Sequence, residues 1–241
     1  MPFIHGKNAK VIHGVFDLSG YLNDGSVSGA VETSETTTYG ATGGSKTYIT
    51  GLNDGGVQAQ GMFDGAANAI DEVLEASIGS DTLAPVTFAP NGLAVGERVK
   101  ILLAKTTSYE VSSPVGDVVK VGYQAQSDGG VQHGVSLVDL ASVTATANGT
   151  GVDNAASSAN GGVGQLHVTA NTRNANVVVK IQHSTDNSTY ADLITFATVS
   201  TTVKTSERSS VTGTVNRYLR VQYTLSAGTG AITLQSSFAR R

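Results

Sequence analysis

The chain has 241 residues, enough for one large domain or two small ones, with 39% hydrophobic residues, 29 glycines and only 14% charged residues. It holds no cysteine, which excludes disulfides and thiolate metal centres, and no apolar run long enough to span a bilayer as a helix. The net charge of −4 is uneven: residues 1–141 carry seven Lys or Arg against fifteen Asp or Glu (7 − 15 = −8), and residues 142–241 carry eight against four (8 − 4 = +4), so the first part is poorly suited to gripping a phosphate backbone.

The amino terminus, Met1-Pro2-Phe3-Ile4-His5-Gly6-Lys7, lacks the apolar core and cleavage pattern of a signal peptide, and synthesis in the cytoplasm is expected. Residues 9–21 predict a strand around Val11, Val15 and Phe16. Asn23-Asp24-Gly25 predicts a turn, because these residues tolerate positive φ. Val27, Gly29 and Val31 then alternate with Ser28, Ala30 and Glu32 at strand period. The same turn chemistry returns at Asn53-Asp54-Gly55, followed by Val57, Ala59 and Gly61. Between these short strands the sequence predicts a loop of over twenty residues with no apolar stripe of its own.

A helix is predicted over 65–78, with Asp64 as N-cap and Gly79 as stop. Ile70, Val73, Leu74 and Ile78 fall on one face, and Asp71, Glu72 and Glu75 mainly on the other. Further strands are predicted at 86–88, 98–109 and 115–125. Asp128-Gly129-Gly130 then predicts a hairpin turn into 131–140. Residues 142–163 are almost entirely Ser, Thr, Ala, Asn and Gly. They read as a linker, or as an edge strand of the following unit beginning at Val143-Thr144-Ala145-Thr146.

Residues 164–241 predict a β-sandwich. Val177, Val179 and Ile181 alternate with Val178, Lys180 and Gln182, and Leu219, Val221 and Tyr223 alternate with Tyr218, Arg220 and Gln222. Leu193, Phe196, Ile232, Leu234 and Phe238 add core candidates. The expected fold class is all-β with one flanking α-helix: a β domain over 1–141, the stretch 142–163, and a smaller carboxyl-terminal sandwich over 164–241.

Motifs that would carry chemistry are weak. Gly40-Ala41-Thr42-Gly43-Gly44-Ser45-Lys46-Thr47 approaches a phosphate-binding loop, but Ser45 stands where the second glycine belongs and no helix start comes after it. His5, His13, His133, His167 and His183 have no metal-ligand spacing, and the Asp-Gly pairs lack the alternating carboxylates of a calcium loop. No nucleophile elbow is present. No catalytic residues, metal or cofactor are expected, and the chain reads as a protein other than an enzyme.

The polar loop has an energetic consequence. Fixing about twenty residues costs roughly 20–40 kcal/mol of backbone entropy. Offsetting that needs on the order of 1,000 Å² or more of apolar burial. Tyr39, Tyr48, Ile49 and Leu52 can supply part of it only against a partner, and Glu35 and Lys46 lie in the same segment.

The run from Gly20 to Gly65, with its repeated Asn-Asp-Gly-strand units around the long excursion, resembles the major tail protein, or tail tube protein, of long-tailed bacteriophages. The resemblance covers about residues 10–140. It implies a tail-tube-like β-sandwich or barrel domain in a structural virion protein. Copies would form hexameric rings stacked into a tube that conducts DNA to the host, with tape measure and terminator proteins as further partners. By this resemblance the loop carrying Glu35, Tyr39, Lys46, Tyr48, Ile49 and Leu52 reaches a neighbouring subunit. Strands carrying Val27, Val31, Glu32, Val57, Gln58 and Gln60 are candidates for the channel wall. The carboxyl-terminal module would decorate the tail exterior, where its basic balance suits an anionic cell surface. The alternative is a virion adhesion or capsid decoration protein with a carbohydrate-binding-like sandwich.

Overall fold

The computed structural model describes residues 5–40 and 43–241. In chain order its strands are β1 (Lys10–His13), β2 (Phe16–Asp17), β3 (Leu22–Glu35), β4 (Tyr48–Met62), β5 (Ala84–Ala89), β6 (Arg98–Ser112), β7 (Lys120–Val143) and β8 (Ala147–Asn148). They continue with β9 (Val152–Asp153), β10 (Gly162–Asn171), β11 (Val177–Ser184), β12 (Ala191–Thr195), β13 (Ser206–Val211), β14 (Tyr218–Leu225) and β15 (Ile232–Arg240). One α-helix, α1 (Ile70–Ser77), lies between β4 and β5, and Gly6–Asn8 form a 3-10 turn. The fold is all-β with a single α-helix, as the sequence predicts. The reading of Met1 to Ile4 lies outside the described residues.

The chain divides into two compact units. The first takes in residues up to Tyr21, Ala84–Ile101 and Gln132–Arg241; the second takes in Leu22–Leu83 and Leu102–Val131. This differs from a division at 141/142. Strand β7 runs unbroken through Leu140, and β15 pairs with it from Ile232↔Val143 to Ala239↔Gly134. The stretch read as linker or edge strand supplies β8 and β9, which both pair along β14.

In the first unit, β15 lies between β10 and β7, and β10 also pairs with β13. Gly162 to Val168 of β10 and Ile232 to Ala239 of β15 are almost continuously buried, the mark of strands covered on both faces. One face meets a second sheet of β12, β11, β14 and β8. There Leu166, Val168, Ile232, Leu234 and Phe238 pack with Val179, Ile181, Phe196, Leu219 and Val221. Leu137, Val138 and Val143 of β7 join the same core, so it draws on residues before 164. A Cβ at Gly164 would lie 2.7 Å from Ile181 Cδ1, so that side chain would have to shift to admit one.

The other face is polar. Gln165 and His167 stand beside Ser237 and Gln235 in register, and all four are fully buried. His167 bridges to the amino-terminal strands, with Nε2 2.8 Å from Thr87 Oγ1 and Nδ1 2.7 Å from the Gly14 carbonyl. Gln165 donates to the Val86 carbonyl and accepts from Arg208 Nη1. Below them Ile12, Ala89, Leu93, Val99, Ile101 and Ala239 form a smaller apolar cluster.

In the second unit β4 is the central strand, paired with β3 and with Lys120–Gln126 of β7. Val57, Ala59 and Gly61 are buried beside Ala125, Tyr123 and Val121, while Gln58 and Gln60 between them are exposed. Helix α1 buries Ile70, Val73 and Leu74. Two bonds tie it to β6: Ser77 Oγ to Thr106 Oγ1 at 2.8 Å, and Tyr109 Oη to an Asp71 carboxylate oxygen. The helix starts later than 65. Asp64 accepts from Ala66 N and so closes a preceding turn, with Asn68 at φ 61 before Ile70. Gly79, at φ 71, comes after the helix end as expected.

The Asp-Gly pairs are corrected. Asp24-Gly25 and Asp54-Gly55 sit inside β3 and β4, and Asp128-Gly129-Gly130 sits inside β7. A Cβ at Gly55 would lie 2.5 Å from the Ser28 carbonyl and 2.8 Å from Val131 Cγ2; at Gly56 it would lie 2.8 Å from the Ala125 carbonyl. Close strand approach, not a turn, demands glycine here. Gly129 and Gly130, at φ 80 and 76, kink β7 without ending it.

Burial lowers the pKa of His167 from 6.5 to about 4, and burial followed by the nearby His167 lowers that of His13 to about 4. The fold therefore favours neutral imidazoles, and their stabilising contribution is complete above pH 6.5 and lost as pH falls towards 4. Urea denaturation from pH 7 to pH 4 is expected to show a loss on the order of 3 kcal/mol per histidine. His167→Asn should remove its share of that slope while lowering stability at pH 7.

Candidate assembly surface

Strands β3 and β4 pair from Leu22↔Gly61 out to Glu35↔Tyr48. The β7 pairing ends at Gly56↔Gln126, so the outer part of the hairpin pairs only with itself among the described residues. Of the segment predicted as a loop, Ser34, Glu35 and residues 48–55 belong to a two-stranded ribbon. Local alternation is hidden because neither face is buried. Thr36 N donates to the Thr47 carbonyl at 2.8 Å, and Thr47 N to Thr37 Oγ1 at 3.0 Å. Lys46 Nζ meets Glu35 Oε2 at 2.9 Å, and Lys46 and Thr37 hold the Glu35 carboxyl below its usual range.

The ribbon carries uncovered apolar groups. Leu52 is 75% exposed, Ile49 59%, Tyr48 55% and Val31 49%, and Tyr39 is fully exposed. Following the register outward from Val27↔Val57 places Val31 and Tyr48 on one face; Ser34↔Ile49 lies on the other. A shift between Val31 and Thr33 preserves this order. A two-stranded ribbon is weakly stable alone in water. This one offers apolar contacts on both sides, and so suits insertion between neighbouring surfaces.

At the ribbon's root the sheet has an open polar face. Ser26 and Ser28 stand beside Gln58 and Gly56, and Gln58 stands beside Gln124. Gln126 donates to Asp54. Of the candidate wall residues, Gln58, Gln60, Val31 and Glu32 are exposed, Val27 is half-buried, and Val57 is buried on the packed side. Sequence reasoning missed Gln124 and Gln126, although their alternation with Tyr123 and Ala125 was a usable signal.

Charge follows the division into units more sharply than it follows the sequence halves. The second unit has three lysines against twelve Asp or Glu (3 − 12 = −9), and the first has twelve Lys or Arg against seven (12 − 7 = +5). Among the described residues no group of three or more His, Asp or Glu is placed to hold a metal ion, and no helix is long and apolar enough to cross a membrane. Of the phosphate-loop-like run, Ala41 and Thr42 lie outside the described residues, and Tyr48, directly after the run, opens β4 rather than a helix.

No family model and no curated protein matches the chain. Among solved structures, it is similar to a chain from the virion of a native gene transfer agent particle, at 16% identity and a TM-score of 0.45, over 54% of this chain and 98% of that one. A chain from the tail of an empty gene transfer agent particle, refined with C6 symmetry, gives 16% identity and 0.44 over 54% and 97%. The Dit protein of phage SPP1, described as a hub adsorption apparatus protein, gives 14% identity and 0.38 over 96% and 99%. At these scores the likenesses assign no function to this chain.

Leu52→Ala and Ile49→Ala are expected to change the stability of the isolated chain by less than about 0.5 kcal/mol, as at other exposed positions. Val57→Ala, in the packed face, should cost about 2 kcal/mol. Chemical denaturation of the three variants checks the contrast.

Proposed function

We propose that this chain is a structural subunit of a phage tail, whose copies associate into rings that stack as a tube and conduct DNA. The observation that carries this reading is the β3–β4 ribbon, which projects past its sheet with Val31 and Tyr48 on one face and Ile49 on the other. Burial of these groups between neighbours would supply the apolar contact that the lone ribbon lacks. A head-to-tail contact of this kind is heterologous, so it closes into a ring or propagates as a filament. The sixfold ring, and the tape measure and terminator proteins as neighbours, rest on the tail tube resemblance of residues 10–140.

In this reading the open face with Gln58, Gln60 and Gln124 borders the channel. Neutral amides and a unit with net charge −9 let a phosphate backbone slide without lasting contacts. Strand addition across the ring would also remove exposed sheet edges. The carboxyl-terminal sandwich faces outward in the assembly.

Electron microscopy of the concentrated protein should show six-membered rings or hollow tubes. The double variant Ile49→Asp and Leu52→Asp should keep the monomer's thermal stability and yield neither. Wild-type chain that stays monomeric at high concentration would overturn the reading.

A further inference from the structure

The first unit contains a cleft that the assembly reading leaves without a role. It has a volume of about 450 Å³ and is lined by Arg98, Lys100, His133, Asp153 and Arg240, with Phe238 among its apolar wall residues. Its positive charge is uncompensated. The one lining carboxylate, Asp153, is already saturated: Arg217 Nε donates to its Oδ1 at 2.6 Å, Arg217 Nη2 reaches its Oδ2, and Ala155 N donates to Oδ1 at 2.8 Å. That bidentate pairing and the backbone bond hold the Asp153 carboxyl at about 2, well below the usual range.

The cations differ in what they have left to give. Arg240 is anchored, with Nη1 donating to the Val215 carbonyl at 2.8 Å and Nη2 to the Asn216 and Arg217 carbonyls, but its Nε is buried and has no partner. Lys100 Nζ lies against His133 Nδ1, and an ammonium has two further N–H donors to give. Arg98 is exposed and its side chain has no hydrogen bond or ion pair among the described residues, so its guanidinium fork is open.

We propose that this cleft binds a phosphate monoester carried on a small polyol or sugar. Three cations without an unpaired carboxylate suit a dianion better than a single carboxylate. The volume exceeds that of a bare phosphate and leaves room for the carrier beside Phe238. Arg98 and Lys100 grip the phosphoryl oxygens, and Arg240 supplies fixed positive charge from behind. The site is independent of ring formation.

Calorimetric titration of the full chain at low salt with ribose 5-phosphate should give saturable one-to-one binding, and uncharged ribose should give none. The double variant Arg98→Gln and Lys100→Gln should weaken binding at least tenfold. A charge-matched control, Lys180→Gln with Arg220→Gln on β11 and β14, should leave it unchanged, and thermal melts establish that both variants fold. Absence of saturable binding at millimolar probe, equal loss in both variants, or binding of a single-stranded oligonucleotide phosphodiester but not of the sugar phosphate would each overturn the proposal.

Discussion

Seven residue pairs, from Gly56↔Gln126 to Met62↔Lys120, join β4 to β7 and then stop. Inside that span the strand has a buried face and a wet face, and Val57 and Ala59 are packed away while Gln58 and Gln60 stay in water. Beyond it β4 pairs, among the described residues, only with β3, and side chains of the same kind, Ile49 and Leu52, are exposed. The glycines at 55 and 56 allow the approach of both neighbours at the point where three strands become two. The functional reading depends on this change of partner count. A third strand running further would bury one face of the ribbon and remove the reason for it to seek another surface.

The first unit solves a different problem. Strands β10 and β15 are covered on both faces, and the two faces are chemically unlike. Towards β11 and β14 the contact is apolar and indifferent to pH. Towards β1 and β5 it runs through Gln165, His167 and Thr87, whose directional hydrogen bonds favour one register. Apolar packing supplies most of the stability, and the amide and imidazole bonds select which amino-terminal strand sits where.

Much of this was legible in the sequence wherever one face of a strand is buried. The alternation at Val177–Ile181 and Leu219–Tyr223 marks the buried faces of β11 and β14, and Ile70, Val73 and Leu74 mark the helix face. Legibility failed for two physical reasons. Glycine answers both a need for positive φ and a need for close approach, so Asp54-Gly55 within a strand reads like a turn. Pairing at long range leaves no local pattern: nothing near Val135 announces Phe238 as its neighbour, and so the β7–β15 seam was invisible and the boundary near 140 looked natural. Exposed strands show no burial period, so the ribbon's strands read as loop, and its Tyr48, Ile49 and Leu52 side chains are uncovered. The cleft around Arg98 and Lys100 draws on four separate segments, and no motif marks it.

Chain order has a kinetic consequence. The second unit is complete once Val131 has been made, whereas the first needs β15, which comes after every one of its partners in the sequence. Strands β10 and β7 therefore leave the ribosome before the strand that lies between them exists, and for that interval each presents an unsatisfied edge. Sequence separations from 61 (Asn171↔Ile232) to 105 (Gly134↔Ala239) residues make such closure slow relative to hairpin formation. Nascent copies are thus most open to mispairing with one another before β15 has been made.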